Sequence, residues 1–162
     1  MIKQTTIKVN KKLDQIIFNE DYICINGAYI IASYLVKLDN EEMQNKVNKG
    51  ESFAYTAGNY LTSVPPLKQF INALHTDMDL LEDTELISDT CLGKHKVFYN
   101  PVKNYFSYFD IDYLKQFTKT GLTLRLHQAK KLAGAGHYDN DLKCLFYIMP
   151  VNLKSCFIER FV

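Results

Sequence analysis

Hydrophobic residues along this chain come in short runs, and most of these runs have the patterning of strands. Ile7 and Val9 alternate with polar neighbours. Two β-rich runs at 22–25 and 29–38 are joined by Asn26-Gly27, the strongest short-range signal for a hairpin. The remaining runs predict strands or extended segments at 52–61, 96–99, 105–109, 122–127, 144–149 and 156–161.

Three stretches have the apolar spacing of an amphipathic helix instead. The first follows a capping Asn10 and repeats apolar residues over 13–17. The second covers 63–75, where two prolines precede the apolar positions. The third begins after Asp110 and stops at Gly121. The polar stretches between elements are predicted as a connection and a flexible loop, at 39–50 and 133–142 respectively.

The order of these elements favours an α+β fold, with an antiparallel sheet and short helices on one face. A helix of about two turns followed by two extended runs occurs near 11–38 and again near 110–150. This similarity indicates repeated βαββ units, with chance similarity as the alternative. We expect one α+β domain over 1–162, with possible sub-units at 1–50, 51–103 and 104–162.

The composition indicates a large hydrophobic core and a nearly neutral total charge. The chain has 162 residues, of which 47% are hydrophobic, so it is not intrinsically disordered. Its net charge of +1 hides an acidic stretch at 77–89 and a basic stretch at 94–131. These stretches are opposed patches if the fold separates them, or otherwise solvated strand ends and loops.

The cysteines and the apolar runs predict a soluble cytoplasmic protein. Cys24, Cys144 and Cys156 lie in apolar runs, and with Cys91 they fit no zinc spacing, so buried reduced thiols are expected. The N-terminal segment has no apolar region of the signal-peptide kind. The longest apolar run, 22–36, is interrupted and too short to span a bilayer, so no membrane partner is expected.

No catalytic motif stands out, and we expect neither an enzyme nor a bound metal or cofactor. The glycines at 134 and 136 lack the rest of a phosphate-binding loop. His137 and Asp139 are a weak metal or general-base pair, with a solvated loop as the favoured alternative. The aromatic and lysine residues of 98–108 fit single-strand stacking, or more simply a strand with one wet face.

The segment 109–153 carries two motifs at a characteristic separation. A strand ends in Phe109-Asp110-Ile111-Asp112-Tyr113-Leu114, and a later strand closes with Phe146-Tyr147-Ile148-Met149-Pro150-Val151-Asn152-Leu153. This part resembles the C-terminal end of bacterial DNA polymerase sliding clamps. It departs from that family at Phe146, where the family has tyrosine, and at Asn152, where it has a basic residue.

The resemblance implies a ring of clamp units whose helices face duplex DNA and contact phosphates without reading sequence. A chain this short closes a ring only as a homo-oligomer. The implied DNA-contacting residues are Lys115 and Lys119 on the last helix, with Arg125 in the same set and, by analogy of repeat, Lys11, Lys12 and Lys68. The implied partner-binding residues are Met149, Pro150 and Leu153, for which core packing is the alternative.

Two functions therefore stand side by side. The first is a non-catalytic, sliding-clamp-like DNA-associated accessory protein of phage or mobile-element origin. The second is a small inhibitor, of the anti-CRISPR or anti-nuclease class, that blocks a nucleic-acid-binding site on a host protein. In the second reading, acidic residues imitate phosphate charges: Asp77, Asp79, Glu82 and Asp83.

Overall fold

The computed structural model describes residues 2–153 and 159–161, with the backbone alone at 159 and 160. The chain forms two compact units: Met1–Asn72 with Gln116–Thr123, and Ala73–Lys115 with Leu124–Val162. The described residues are mostly antiparallel sheet with two short helices, so the predicted α+β class is confirmed. The division into three sub-units stays a prediction. Within the described part of the chain, no helix is long and apolar enough to cross a membrane.

The first unit is built on one antiparallel sheet of five strands, in the order β7-β6-β2-β3-β4, and a parallel pair of β1 with β5. Its core consists of the aliphatic and aromatic residues of β2 to β6, most of which are fully buried. The elements are β1 (Thr5–Ile7), β2 (Gln15–Asn19), β3 (Tyr22–Ile25), β4 (Tyr29–Ala32), β5 (Val36–Leu38), α1 (Glu41–Asn48), β6 (Phe53–Thr56) and β7 (Asn59–Tyr60).

The second unit holds two antiparallel sheets. Their strand orders are β11-β10-β9-β15 and β14-β13-β12-β8. The helix α2 begins in this unit, and the boundary between the units cuts it after Lys115. The elements are β8 (Asp79–Leu80), β9 (Glu82–Thr90), β10 (Gly93–Asn100), β11 (Tyr105–Asp110), α2 (Ile111–Thr118), β12 (His127–Gln128), β13 (Ala135–Tyr138), β14 (Cys144–Ile148) and β15 (Glu159–Phe161).

The hairpin predicted at Asn26-Gly27 is confirmed. Three residues, 26–28, connect β3 and β4. Asn26 and Gly27 both have positive φ, 51° and 63°, and the Ala28 N–H closes the turn around them by donating to the Ile25 carbonyl at 2.9 Å. The side chain of Asn26 also holds the neighbouring strand, because its Oδ1 accepts a hydrogen bond from the backbone N–H of Gln15 at 2.7 Å. The strands predicted around Ile7, over 96–99 and 105–109, and over 144–149 are confirmed as β1, β10, β11 and β14. Residues 159–161 form an edge strand, and Cys156 lies outside the described residues.

Two of the three predicted helices are wrong. Residues 10–13 form a tight turn and 15–19 form β2, where Ile16 and Ile17 are buried between two neighbouring strands. Between 63 and 75 the chain forms only one short 3-10 turn, at 68–70. The apolar residues there do not share a buried face, because Leu67 is buried while Phe70 is 53% exposed.

The helix α1 falls within 39–50, for which the sequence predicts a polar connection instead. Its only buried residue is Met43, so it has almost no apolar stripe to detect. Local chemistry starts it instead: the Oδ1 of Asn40 accepts a hydrogen bond from the Met43 N–H at 3.0 Å, and two glutamates occupy the first turn.

The predicted flexible loop at 133–142 is also wrong, because 135–138 is the fully buried strand β13. Its glycines make room for aromatic rings. A Cβ at Gly134 would lie 2.0 Å from the hydroxyl oxygen of Tyr147, and one at Gly136 would lie 2.7 Å from that of Tyr138. Residues 122–126 are not a strand, and of that prediction only His127 lies in one, β12.

The cysteine prediction holds for two residues and fails for one. Cys24 and Cys144 are buried free thiols, and burial raises the pKa of each. Cys91 is disulfide-bonded, so it is not a reduced core thiol. Cys91 lies in the exposed turn between β9 and β10 and outside the apolar runs, so it is not part of the core. Cysteine usage therefore no longer favours a reducing compartment.

Candidate functional site

The helix α2 presents a basic surface at its C-terminal end. The Oδ1 of Asp110 starts the helix by accepting hydrogen bonds from the N–H groups of residues 112 and 113, at 2.9 and 3.3 Å, as predicted. Leu114 and Phe117 are buried at 2% and 0% exposure. Lys115 lies on α2 away from that apolar face, Lys119 directly follows the last helical residue, and both lysines are exposed. We call Lys115 and Lys119 the α2 lysine pair.

Backbone pairing brings a further lysine to Lys119. The N–H of Lys3 donates to the carbonyl of Thr120 at 2.8 Å, and the hydroxyl of Thr5 donates to the Oε1 of Gln116 at 3.4 Å. Lys3 is exposed and therefore adds a cation beside the end of α2. Sequence patterns could not predict this position of Lys3, because the contact joins residues far apart in the chain.

Lys11 and Lys12 are not on a helix, contrary to the prediction. Both are exposed in the turn that precedes β2. This turn is well held: the Lys12 N–H donates to the Asn10 Oδ1 at 3.0 Å, and the Asn10 N–H donates to the Asp14 Oδ2 at 2.8 Å. The two lysines therefore sit on a fixed turn rather than on the helical face that the repeat analogy implied.

Lys68 is also not on an α-helix, and its charge is already matched. Its ammonium lies 2.7 Å from a carboxylate oxygen of Glu20 and 3.6 Å from one of Asp21. The hydrogen bond to Glu20 raises the pKa of Lys68 above its ordinary value. An exposed pair of this kind adds little stability, but it offsets the charge that a phosphate contact would use. Arg125 is exposed in the irregular segment before β12.

The acidic stretch is partly neutralised within the second unit. Asp79 lies 3.1 Å from the ammonium of Lys103, and Asp83 lies 2.8 Å from that of Lys96. The remaining two candidates, Asp77 and Glu82, are exposed. Half of the predicted phosphate-mimicking carboxylates therefore already have a lysine partner, which weakens the inhibitor reading.

Lys103 does more than balance Asp79. Its ammonium also donates to the backbone carbonyls of Asp77, at 2.7 Å, and of Ala129. Beside it, the Nδ2 of the fully buried Asn100 donates to the Asp79 carboxylate at 3.1 Å. Hydrogen bonds from Asn100 and then from Lys103 hold the pKa of Asp79 below its ordinary value. This cluster connects the 101–104 turn to β8 and to the residue after β12. Its role is therefore structural, because it holds these backbone segments together.

The predicted partner-binding residues lie together after β14. Met149 is 46% exposed, whereas Pro150 and Leu153 are half-buried. The N–H of Val151 donates to the carbonyl of Tyr108 at 2.8 Å, so this segment runs beside β11. The structure thus leaves one apolar side chain of the three largely open to solvent, and partner binding here stays a prediction.

His137 and Asp139 have structural partners. The Nδ1 of His137 accepts a hydrogen bond from the Arg125 N–H at 3.1 Å, and burial, followed by the nearby Arg125 charge, lowers the pKa of His137. The Oδ1 of Asp139 accepts from the N–H groups of Asp141 and Lys143, each at 2.9 Å. Within residues 2–153, no three metal-ligating side chains come together.

A serine, a histidine and an aspartate also stand opposite one another in β9, β10 and β11. The register pairs Ser88 with His95 and His95 with Asp110. Ser88 and His95 are only 0% and 1% exposed, and Asp110 is the cap of α2. A substrate therefore has no path to the serine in this arrangement, and the row belongs to the packed interior of the unit.

The first unit contains an open groove of about 500 Å³ between β1, β5 and α1. Its polar side chains already hold backbone: the Oδ1 of Asp39 accepts from the Val9 N–H at 2.7 Å, and the Oε1 of Gln44 accepts from the Leu38 N–H at 2.8 Å. The lining also mixes charges, with Lys37 beside acidic residues. The groove therefore offers no consistent chemistry to a ligand.

Comparison of the chain with models of protein families, with curated proteins and with solved structures finds no match in any of the three. The resemblance to sliding clamps therefore rests on the motifs of 109–153 alone.

Proposed function

We propose that this protein is a non-catalytic, clamp-like accessory protein that associates with duplex DNA through its phosphates. The observation that carries the proposal is the α2 lysine pair: Lys115 stands on a helix whose opposite side is buried, and Lys119 directly follows that helix. A helix anchored in this way presents cations at fixed positions, and ammonium groups contact phosphates without reading sequence. Lys3 adds to the same charge.

The ion pairs of the acidic stretch and the charges of α1 support DNA association through α2 over the inhibitor hypothesis. The ammonium groups at Lys96 and Lys103 neutralise two of the four predicted acidic residues. The first turn of α1 carries two glutamates and that of α2 one aspartate, so α2 repels phosphate less and the contact falls to α2. Homo-oligomer formation is part of the same proposal, since a short chain encircles DNA only as several copies. A cytoplasmic location is proposed from the DNA contact alone, because the disulfide at Cys91 removes the support that the cysteines gave it.

The test is binding of a fluorescently labelled short duplex, measured by anisotropy over a range of salt concentrations. The double variant Lys115→Gln, Lys119→Gln removes charge without adding the repulsion that glutamate would bring to a helix C-terminus. Each phosphate contact contributes about 0.9 to the slope of log K against log salt, so the slope should fall by about 2. Lys130→Gln, Lys131→Gln is the matched control, because both lysines are exposed outside α2.

The proposal is supported if the α2 variant loses both affinity and slope while the control keeps them. It is overturned if the parent protein does not bind duplex at low salt, or if both double variants weaken binding equally. Light scattering of the same samples reports the number of copies. A monomer with and without duplex would contradict the encircling part of the proposal.

A further inference from the structure

A carboxylate and two aromatic rings form a row across one face of β9, β10 and β11. The register places Tyr99 opposite Glu82 on one side and opposite Phe106 on the other. The ring centroids of Tyr99 and Phe106 lie 5.0 Å apart at an interplanar angle of 44°. Phe106 is 46% exposed and Glu82 is exposed, so the row faces solvent. We call Glu82, Tyr99 and Phe106 the aromatic row.

Hydrogen bonding and strand pairing hold the row in place before any partner arrives. The Tyr99 hydroxyl donates to the Oδ1 of Asn104 at 2.7 Å, which anchors the outer end of its ring. Directly opposed residues in antiparallel strands have Cβ atoms about 4.5–5.5 Å apart, so the Glu82 carboxylate lies within reach of a group that stacks on Tyr99. A partner side chain would therefore meet a preformed site.

The charge of the row is negative, because the lysines of the same segment form ion pairs with carboxylates other than Glu82. Lys96 lies 2.8 Å from the Asp83 carboxylate, and the ammonium of Lys103 lies 3.1 Å from Asp79. Stacking of a nucleic-acid strand needs cations beside the rings to bind its phosphates. Here the charged group beside the rings is a carboxylate, which repels phosphate and attracts a cation.

We propose that the aromatic row binds an arginine side chain of a partner protein. A guanidinium group is planar and weakly hydrated, so it stacks on the Phe106 or Tyr99 ring and offers N–H donors to the Glu82 carboxylate. An ammonium group is strongly hydrated and lacks the flat donor fork, so lysine fits this row less well. The site is independent of the α2 lysine pair, and its failure would leave the DNA proposal untouched.

The experiment measures binding of two short glycine-spaced peptides to the full chain by calorimetry, one with arginines and one with lysines. We expect the arginine peptide to bind several-fold more tightly than the lysine peptide. Glu82→Gln and Phe106→Ala should each weaken the arginine peptide several-fold. Glu85→Gln is the matched control, since Glu85 is exposed on the same strand and has no registered partner on β10.

Far-UV circular dichroism of each variant checks that the sheet is intact. We expect Phe106→Ala to fold, because the Phe106 side chain is exposed and its loss leaves no cavity in the core. Equal affinity for the arginine and lysine peptides would overturn the proposal, because general acidity would then explain the binding. An equal loss in Glu85→Gln would overturn it for the same reason. A labelled oligothymidine strand provides a third arm: binding that depends on Phe106 would make the row a nucleic-acid stacking surface instead.

Discussion

Replacing Gly134 with alanine inserts a methyl group where the ring of Tyr147 lies. The new Cβ would stand 2.0 Å from the Tyr147 hydroxyl oxygen and 2.1 Å from Cζ, far inside the distance at which carbon atoms can approach. Overpacking a filled interior costs about 1–3 kcal/mol. Removing the conformational freedom of a glycine from the unfolded chain returns about 0.4–1 kcal/mol. Because the overlap is severe, we expect a net loss of about 2 kcal/mol in the free energy of unfolding.

Urea denaturation followed by far-UV circular dichroism measures this loss. Gly136→Ala is the graded comparison: its Cβ would lie 2.7 Å from the nearest atom of Tyr138, so a smaller shift relieves the overlap and the loss should be about 1 kcal/mol. A background of Tyr147→Leu, which removes the ring, should make Gly134→Ala nearly neutral. If Gly134→Ala costs the same with and without the Tyr147 ring, the close approach is not what requires glycine.

Three further outcomes are expected. Hydrogen bonds from Asn100 and Lys103 lower the pKa of Asp79, so its stabilising effect is present above the unfolded-state pKa and is lost as pH falls through the folded-state pKa. The melting temperature of Asp79→Asn should therefore lie below that of the parent at neutral pH and approach it in acid; a constant gap would contradict this. Asn40→Ala removes the cap of α1 and should cost about 1 kcal/mol in urea denaturation, whereas no change would mean that the cap is dispensable. Burial raises the pKa of Cys144 to about 12, so iodoacetamide should modify it only after unfolding, as mass spectrometry would show.

Prediction from the sequence was most accurate for turns and helix caps, which depend on residues close together in the chain. Asn26-Gly27 gave the hairpin and Asp110 gave the start of α2, since both act within a few residues. Periodicity alone was less reliable. Ile16 and Ile17 fit one face of a helix. Two adjacent apolar residues fit equally well in a strand that is covered on both faces. Pairing with β3 and β6 makes this segment a strand.

The candidate site was predicted in part. Lys115 and Lys119 were predicted from the resemblance to sliding clamps, and the helix predicted after Asp110 is confirmed as α2, which carries Lys115 and ends directly before Lys119. Lys11 and Lys12 were placed by analogy between repeats, and the analogy failed with the first helix. The aromatic row lay beyond sequence reasoning: Phe106 and Tyr99 belong to a recognisable aromatic segment, but only strand register brings Glu82 beside them.

The interleaving of the two units sets the order in which the chain can fold as it is made. The first unit needs residues 116–123, which follow most of the second unit in the chain. The N-terminal segment around Lys3 therefore waits for Thr120 to leave the ribosome before it gains that backbone partner. Cutting the chain between 72 and 73 would not release two self-sufficient halves. The fragment 1–72 would lack residues 116–123, whereas the fragment 73–162 would keep every segment of the second unit, so it is the first unit that depends on chain made later.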